Sequence, residues 1–218
     1  MMFGSEPPTT LLLLRHGETA LTPDKRLSGS GGSDPALSET GRRQAEAVAD
    51  LLASPVRRAE HGPVRAVVSS PLRRCRETAA AAARRLGLEV LFDEGLREAD
   101  FGAWEGLTFA EVRERYPDEL AAWLASPAAI PGGTGESFED VTHRVTAARD
   151  KLLARYAGET VLVVSHVTPV RQLIRLALGA PPQSVFRLDT AAASVSAVAY
   201  DADGNAAVRF LNDTSHLQ

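Results

Sequence analysis

A chain of 218 residues, 44% hydrophobic and 24% charged, has the length and composition of one folded domain, which excludes wholesale disorder. A net charge of -4 argues against a general binder of nucleic acid or of anionic membranes, and no apolar run approaches the length that spans a bilayer. The single cysteine, Cys75, excludes an internal disulfide framework and a cysteine-rich metal site.

The opening residues, Met1 to Pro8, lack the basic start and long apolar stretch of a signal peptide. Residues 1–8 are therefore expected to be a disordered lead into one domain at 9–218, and the chain is expected in the cytoplasm. All basic residues except Lys25 and Lys151 are arginines. A GC-rich genome produces that excess, and it does not by itself indicate phosphate binding.

In chain order, Thr9 to Leu14 is a continuous apolar run of the kind that forms a strand buried on both faces. It ends in Arg15-His16-Gly17-Glu18, and the Gly/Ser stretch from Gly29 to Pro35 can only be loop. A helix is expected from an N-cap at Ser38, with Ala45, Val48, Ala49 and Leu52 on its apolar face. Val64 to Val68 reads as a second buried strand. Pro71 is expected at the first position of the following helix and Gly87 at its end. Glu89 to Phe92 reads as a short strand, followed by short helices over Gly102 to Tyr116 and Pro117 to Ala125 and a Pro/Gly-rich loop, Pro127 to Gly135. An insertion or lid is expected at about 103–136. A longer amphipathic helix runs from Ser137 to Tyr156, with Phe138, Val141, Val145, Ala148 and Leu152 in phase. Thr160 to Val164 is the next apolar strand, Thr168 to Leu178 its following helix, and Val195 to Tyr200 with Ala207 to Leu211 a hairpin around Asp203-Gly204-Asn205. Strands alternating with helices predict an α/β fold, a three-layer sandwich with a mostly parallel central sheet.

Two segments, Leu11 to His16 and Val161 to His166, each run a buried strand directly into a histidine. Ligands of open α/β sheets bind at the carboxyl ends of such strands. A lone histidine after a strand is ordinarily structural; two at matching strand ends, one preceded by Arg15, point to chemistry. A third strand turns sharply at Ser69-Ser70-Pro71 into Leu72-Arg73-Arg74-Cys75-Arg76, bringing arginines to the first helical turn on the same edge. Backbone N–H groups there also favour anions. Such a concave cationic pocket suits a phosphoryl group, although at least one of the clustered arginines must belong to a solvated helix face. His61, in a Gly/Pro loop, His143, in mid-helix, and His216, in the tail, are expected to be structural or exposed. No metal-ligand spacing, G-x-x-x-x-G-K-[ST] or G-x-S-x-G motif is present.

Leu14-Arg15-His16-Gly17-Glu18-Thr19 resembles the R-H-G-E-T signature of the histidine phosphatase (phosphoglycerate-mutase-like) superfamily. Further stretches match in order: Ala36 to Ala45 is similar to L-[ST]-x-x-G-x-x-Q-A, Ser69 to Ala79 to S-S-P-L-x-R-A-x-x-T-A, Leu96 to Gly106 to L-x-E-x-x-F-G-x-W-E-G, and Val164-Ser165-His166 to V-S-H. Together they cover Thr10 to about Leu178. The resemblance implies that His16 is the nucleophile, that Arg15, Arg74 and His166 bind the phosphoryl oxygens, and that Glu98 donates a proton to the leaving oxygen. Arg74, rather than Arg73, fills the motif's arginine position, before the small residue that here is Cys75. Thr22 stands where the family usually has the Asn that touches phosphate. The Ser165 to Val170 run and the Leu188 to Asn212 tail are similar to α-ribazole phosphatases and to the phosphatase half of bifunctional ribonuclease H/acid phosphatases.

The chemistry is coherent without the family name. Phosphoryl transfer requires an in-line nucleophile, neutralisation of the oxygens and a proton for the leaving group. Flanking cations keep the nucleophilic imidazole neutral, and arginine's planar fork engages two oxygens at once. The expected function is a phosphomonoesterase of acid phosphatase type, with no metal and no cofactor, acting on a small phosphorylated metabolite; α-ribazole 5′-phosphate is one candidate. Neither membrane nor nucleic acid is an expected partner, while a dimer and a place in a larger bifunctional chain stay open. The alternatives are a mutase using the same phosphohistidine and a phosphate-binding scaffold without turnover.

Overall fold

In the computed structural model, which describes residues 7–217, the first apolar run becomes strand β1 (Thr9–Arg15). The expected disordered lead lies outside the described residues for its first six positions. Helix α1 (Glu39–Ala53) starts where the Ser38 side chain accepts the Gly41 N–H, and Ala45, Val48, Ala49 and Leu52 are buried along it. A short helix that the sequence reading did not anticipate, α2 (Pro55–His61), follows at once: Ser54 ends α1 and caps α2, with Pro55 at the first helical position. His61 thus closes a helix rather than lying in a loop, its Nδ1 2.8 Å from the Gly62 carbonyl.

Strand β2 (Val64–Ser69) leads into α3 (Arg73–Leu86), which begins two residues later than Pro71 predicts. Leu72 is extended (φ -65°, ψ 143°) and has no side-chain oxygen to cap the helix. Asp34, from the Gly/Ser loop, takes that role, accepting the Arg73 N–H at 2.8 and 3.0 Å. Gly87, in the left-handed region at φ 69°, ends the helix as expected.

After β3 (Val90–Phe92), the section expected to be helical from Gly102 starts as a 3-10 turn, Gly102–Trp104, and becomes α-helical only at α4 (Phe109–Arg115). Gly102 and Gly106 both have positive φ, which breaks any continuous helix, and Thr108 with Glu111 builds a capping box. Then come α5 (Pro117–Ala125), α6 (Phe138–Arg155), β4 (Thr160–Ser165) and α7 (Val167–Ala177), followed by the hairpin of β5 (Val195–Tyr200) and β6 (Ala206–Asp213).

The six strands form one sheet in the order β3-β2-β4-β1-β5-β6. The first four run parallel, and β5 and β6 are antiparallel additions. Alternate residues of the central strands face opposite layers, as the pleat requires. Leu11, Leu13, Val161 and Val163 pack with Val145, Ala148, Leu173 and Ile174 of α6 and α7. Leu12, Leu14, Leu162 and Val164 pack with Val48, Leu52, Ala79 and Ala82 of α1 and α3. The result is the expected three-layer α/β sandwich. Trp104, Val112, Leu120 and Trp123, from the section between β3 and α6, join the core on the α6/α7 side. Among the described residues no helix is long and apolar enough to cross a membrane.

Candidate active site

Strands β1 and β4 are neighbours in parallel register, with Leu14 opposite Val164 and Arg15 opposite Ser165. The next residue of each strand is therefore a histidine held beside the other, and the His16 N–H donates to the Ser165 carbonyl at 3.0 Å. The two rings lie 5.1 Å apart, centroid to centroid, at 63°, and both are buried.

Their hydrogen bonds assign opposite tautomers. His16 Nδ1 is 2.7 Å from the Gly17 carbonyl. A carbonyl only accepts, so the proton sits on Nδ1 and the lone pair on Nε2. His166 Nδ1 receives the Arg74 Nε–H at 3.2 Å; a guanidinium only donates, so this ring carries its proton on Nε2, 2.8 Å from Ser70 Oγ. Both imidazoles are held well below the ordinary histidine pKa. Burial is the first cause for each, followed by Arg74 and Arg15 for His16, and by Arg74 and His16 for His166. Desolvation thus outweighs the flanking cations that the sequence points to. Cys75 packs against His166, its Sγ 3.3 Å from Nε2, and burial pushes its thiol up, so it remains a neutral neighbour.

The structure brings Arg74, not Arg73, to the histidines. Arg74 occupies the second position of α3 and is 1% exposed; besides His166 it donates from Nη2 to the Ser28 carbonyl at 2.9 Å. Arg73 is 56% exposed and pairs with Glu77 one turn on, at 2.8 Å. Thr78 ties the two halves of the site together, accepting the Gly17 N–H at 3.1 Å and donating to the Arg74 carbonyl at 2.8 Å. Arg15 donates to the Thr190 carbonyl at 2.6 Å. Two guanidinium atoms of this group, Arg15 Nε and Arg74 Nη1, are buried without a hydrogen-bond partner, although Arg74 Nη1 lies 3.6 Å from the Asp34 carboxylate. A buried donor left unpaired is costly, which marks these two atoms as available to an anion.

A cavity of about 430 Å³ opens beside these groups; Arg15, His16, Thr22 and Glu98 line it, whereas Arg74 and His166 are not among its lining residues. Glu98 is 5% exposed; its Oε1 accepts from the Ala99 N–H at 2.9 Å and from the Thr168 N–H, at the start of α7, at 3.2 Å. Thr22 Oγ1 accepts the Thr19 N–H at 3.0 Å. Sequence reasoning missed other lining residues. Arg171 follows Thr168 by three positions, which places both on one helix face; that spacing was the readable signal. Phe109, Trp123, Phe138 and Phe186 form an aromatic wall, with Trp123 4.7 Å from Phe138 and 5.2 Å from Phe186. They come from four separate segments, and no pattern in the sequence joins them. Among the described residues, no group of three or more His, Cys, Asp or Glu side chains could hold a metal ion.

Comparison with known proteins places this geometry in a class. A Mycobacterium tuberculosis protein named as bifunctional is 50% identical over 210 residues, which are 96% of this chain and 55% of that protein. The chain thus spans about half the length of such relatives. Phosphoserine phosphatase 1 of Hydrogenobacter thermophilus is 35% identical over 207 residues, 95% of this chain and 93% of the relative. Among solved structures, the α-ribazole phosphatase of Shigella flexneri superposes with a TM-score of 0.79 at 27% identity, over 94% of this chain and 96% of that one. The fold that holds these paired histidines is thus similar to that of proteins named as phosphatases. A family model described as histidine phosphatase superfamily (branch 1) matches residues 11–214, and the chain belongs to that superfamily.

Proposed function

We propose that this chain hydrolyses phosphomonoesters without a metal, through a phosphohistidine on His16. The supporting observation is the His16 tautomer: with Nδ1 tied to the Gly17 carbonyl, Nε2 keeps its lone pair; His16 and Arg15 line the cavity, and Arg15 and Arg74 each hold a buried, unpartnered donor. The Nε2 lone pair attacks phosphorus in line, the ester P–O bond breaks, and Glu98 gives its proton to the departing alkoxide oxygen. Glu98, now a carboxylate, takes a proton from water. The water oxygen attacks phosphorus, the P–N bond breaks, and the electron pair returns to Nε2 with release of inorganic phosphate.

Arg15, Arg74 and His166 hold the phosphoryl oxygens, and the Thr22 hydroxyl adds a further contact. His166 Nδ1 accepts from Arg74 and Nε2 faces Ser70 Oγ, so a hydrogen bond from this ring to phosphate requires the Arg74 Nε–H to leave Nδ1 and Ser70 Oγ to donate to Nε2. A guanidinium about 4 Å from a phosphate charge contributes roughly 4 kcal/mol at an effective dielectric of ~20, before desolvation. The section at about 103–136, which supplies Phe109 and Trp123 to the cavity wall, acts as the cover over the leaving group. The substrate is a small phosphorylated metabolite, and α-ribazole 5′-phosphate belongs in the first panel because a structural relative is named for it. The chain forms the phosphatase part of a longer bifunctional protein, a reading supported by the partly covered relative.

The test is a quenched reaction. Protein-bound phosphate, labile in acid and stable in base, is expected on the wild-type chain and absent from His16→Ala. Full labelling of His16→Ala would overturn the assignment. Release of inorganic phosphate separates a hydrolase from a mutase.

A further inference from the structure

Arg171 lines the same cavity as His16 and Glu98, yet the steps above give it no part. Among the described residues its side chain makes no hydrogen bond, and its Nε is buried without a partner. Its nearest carboxylate, Asp189, stands 3.9 Å from Nη2 and is itself 85% exposed. At that distance and exposure the pair is a weak one, and Glu98 is the other carboxylate acting on the charge. Burial pulls the Arg171 guanidinium below its usual pKa, so the protein holds a partly desolvated cation with an idle hydrogen-bonding edge. Keeping a buried donor unsatisfied is costly, and arginine is the side chain best shaped to recognise a planar anion.

Position separates Arg171 from the phosphoryl subsite. Glu98 accepts the Thr168 N–H at 3.2 Å, and Arg171 follows Thr168 by three positions on the same face of α7. It therefore lines the cavity on the side of Glu98, from which the departing oxygen would take its proton. The other cations at the cavity do not offer an equivalent. Arg26 is committed to Glu111 at 3.0 Å and to the Gly106 carbonyl at 2.8 Å, and Lys25 sits exposed.

We propose that Arg171 is a specificity residue that binds a second anionic group, a carboxylate, on the alcohol portion of the substrate, so that the preferred substrates are phosphomonoesters of small hydroxy acids. One guanidinium matches one negative charge. A second phosphate dianion would leave charge uncompensated where the phosphoryl subsite uses two arginines and a histidine. Asp189 is the stand-in that the substrate carboxylate displaces. This inference rests on the phosphatase reading above and narrows it.

The test compares substrate pairs that differ at the carboxylate: 3-phosphoglycerate against glycerol 3-phosphate, and O-phosphoserine against O-phosphoethanolamine, with p-nitrophenyl phosphate as the reference for phosphatase activity. Wild type should favour the acid of at least one pair by roughly 10- to 100-fold in kcat/KM, the span of a charge-assisted hydrogen-bonded pair. In Arg171→Gln that ratio should fall toward one, chiefly through KM of the acid, because the contact is made equally in ground and transition states. Asp189→Asn, which removes the competing carboxylate, should raise the ratio a few-fold and serves even where Arg171→Gln fails to fold. Hydrolysis of p-nitrophenyl phosphate with no preference in either pair, or a preference unchanged in Arg171→Gln, overturns the subsite and leaves the phosphatase reading standing. Failure to hydrolyse any of the five overturns both.

Discussion

Replacing Arg74 by alanine should cripple the chain where replacing its neighbour Arg73 does not. Arg74 is almost fully buried and touches His166 Nδ1 and the Ser28 carbonyl, with Nη1 left unpartnered. Arg73 lies on the solvent side of the same helix, paired with Glu77. Loss of one preorganised donor to a transferring group costs ~10²–10³ in rate, and Arg74→Ala should lose at least that in the burst phase with p-nitrophenyl phosphate. The same change leaves an imidazole nitrogen and a carbonyl without their donor, which costs about 1–3 kcal/mol for each group that stays buried. It also removes the second-largest depressor of the His16 pKa, so the acid limb of the burst-rate profile should move up toward the ordinary imidazole range. Arg73→Ala gives up one exposed pair, worth roughly 0.3–0.5 kcal/mol, with activity near wild type. Arg74→Lys keeps the charge without the fork and should fall between them. Rapid-quench burst rates and thermal melts on the three variants decide the matter. Equal, small losses for Arg73→Ala and Arg74→Ala would mean that the cationic pocket is not where the phosphoryl group binds.

Glu98→Gln should slow alkyl phosphate hydrolysis by roughly 10²–10⁴, and spare the burst with p-nitrophenyl phosphate, whose leaving group departs without a proton; equal losses on both would move the acid elsewhere. Turnover should survive exhaustive chelation, and loss with EDTA restored by a divalent ion would refute a metal-free mechanism. Stability should fall with acid. His16 and His166 have depressed pKa values when folded, so below about 6.5 the unfolded chain binds protons that the folded one refuses, removing up to ~1.4 kcal/mol per pH unit for each histidine. Denaturant unfolding from pH 5 to 8 reads this directly, and a slope of the opposite sign in this range would show that these rings are not held neutral.

What could be read in advance depended on whether one segment carried its own signal. Leu11 to Leu14 and Val161 to Val164 are apolar on both faces because helices cover both sides of the sheet, and such runs point to their own carboxyl ends, where His16 and His166 lie. The apolar phases of α1 and α6 were legible for the same reason. Helix α2 was not, because it has caps without an apolar stripe: Ser54 and Pro55 mark its start, but periodicity is silent. Pro71 misled because the true cap is Asp34, distant in sequence. The aromatic wall and the idle edge of Arg171 arise only when separate elements converge, and no local pattern encodes them.

The arrangement of the sheet explains why the unpartnered arginine donors persist. Arg15 and Arg74 give other donors to the Thr190 and Ser28 carbonyls, yet Arg15 Nε, Arg74 Nη1 and Arg171 Nε stay unpaired, although an isolated buried donor costs about 1–3 kcal/mol. They are held back by what anchors them. Arg15 ends a strand whose neighbours on both sides are hydrogen-bonded along their length; Arg74 sits in the first turn of a helix whose other buried residues are mostly alanines packed on the sheet; Arg171 is bracketed by Val170 and Leu173, buried in the opposite layer. Each backbone is fixed by apolar burial on a different face, so none of the three can relax without disturbing that packing. Rigid layers above and below thus maintain an unsatisfied cationic rim at the carboxyl edge, and an arriving anion meets donors that need little reorganisation to receive it.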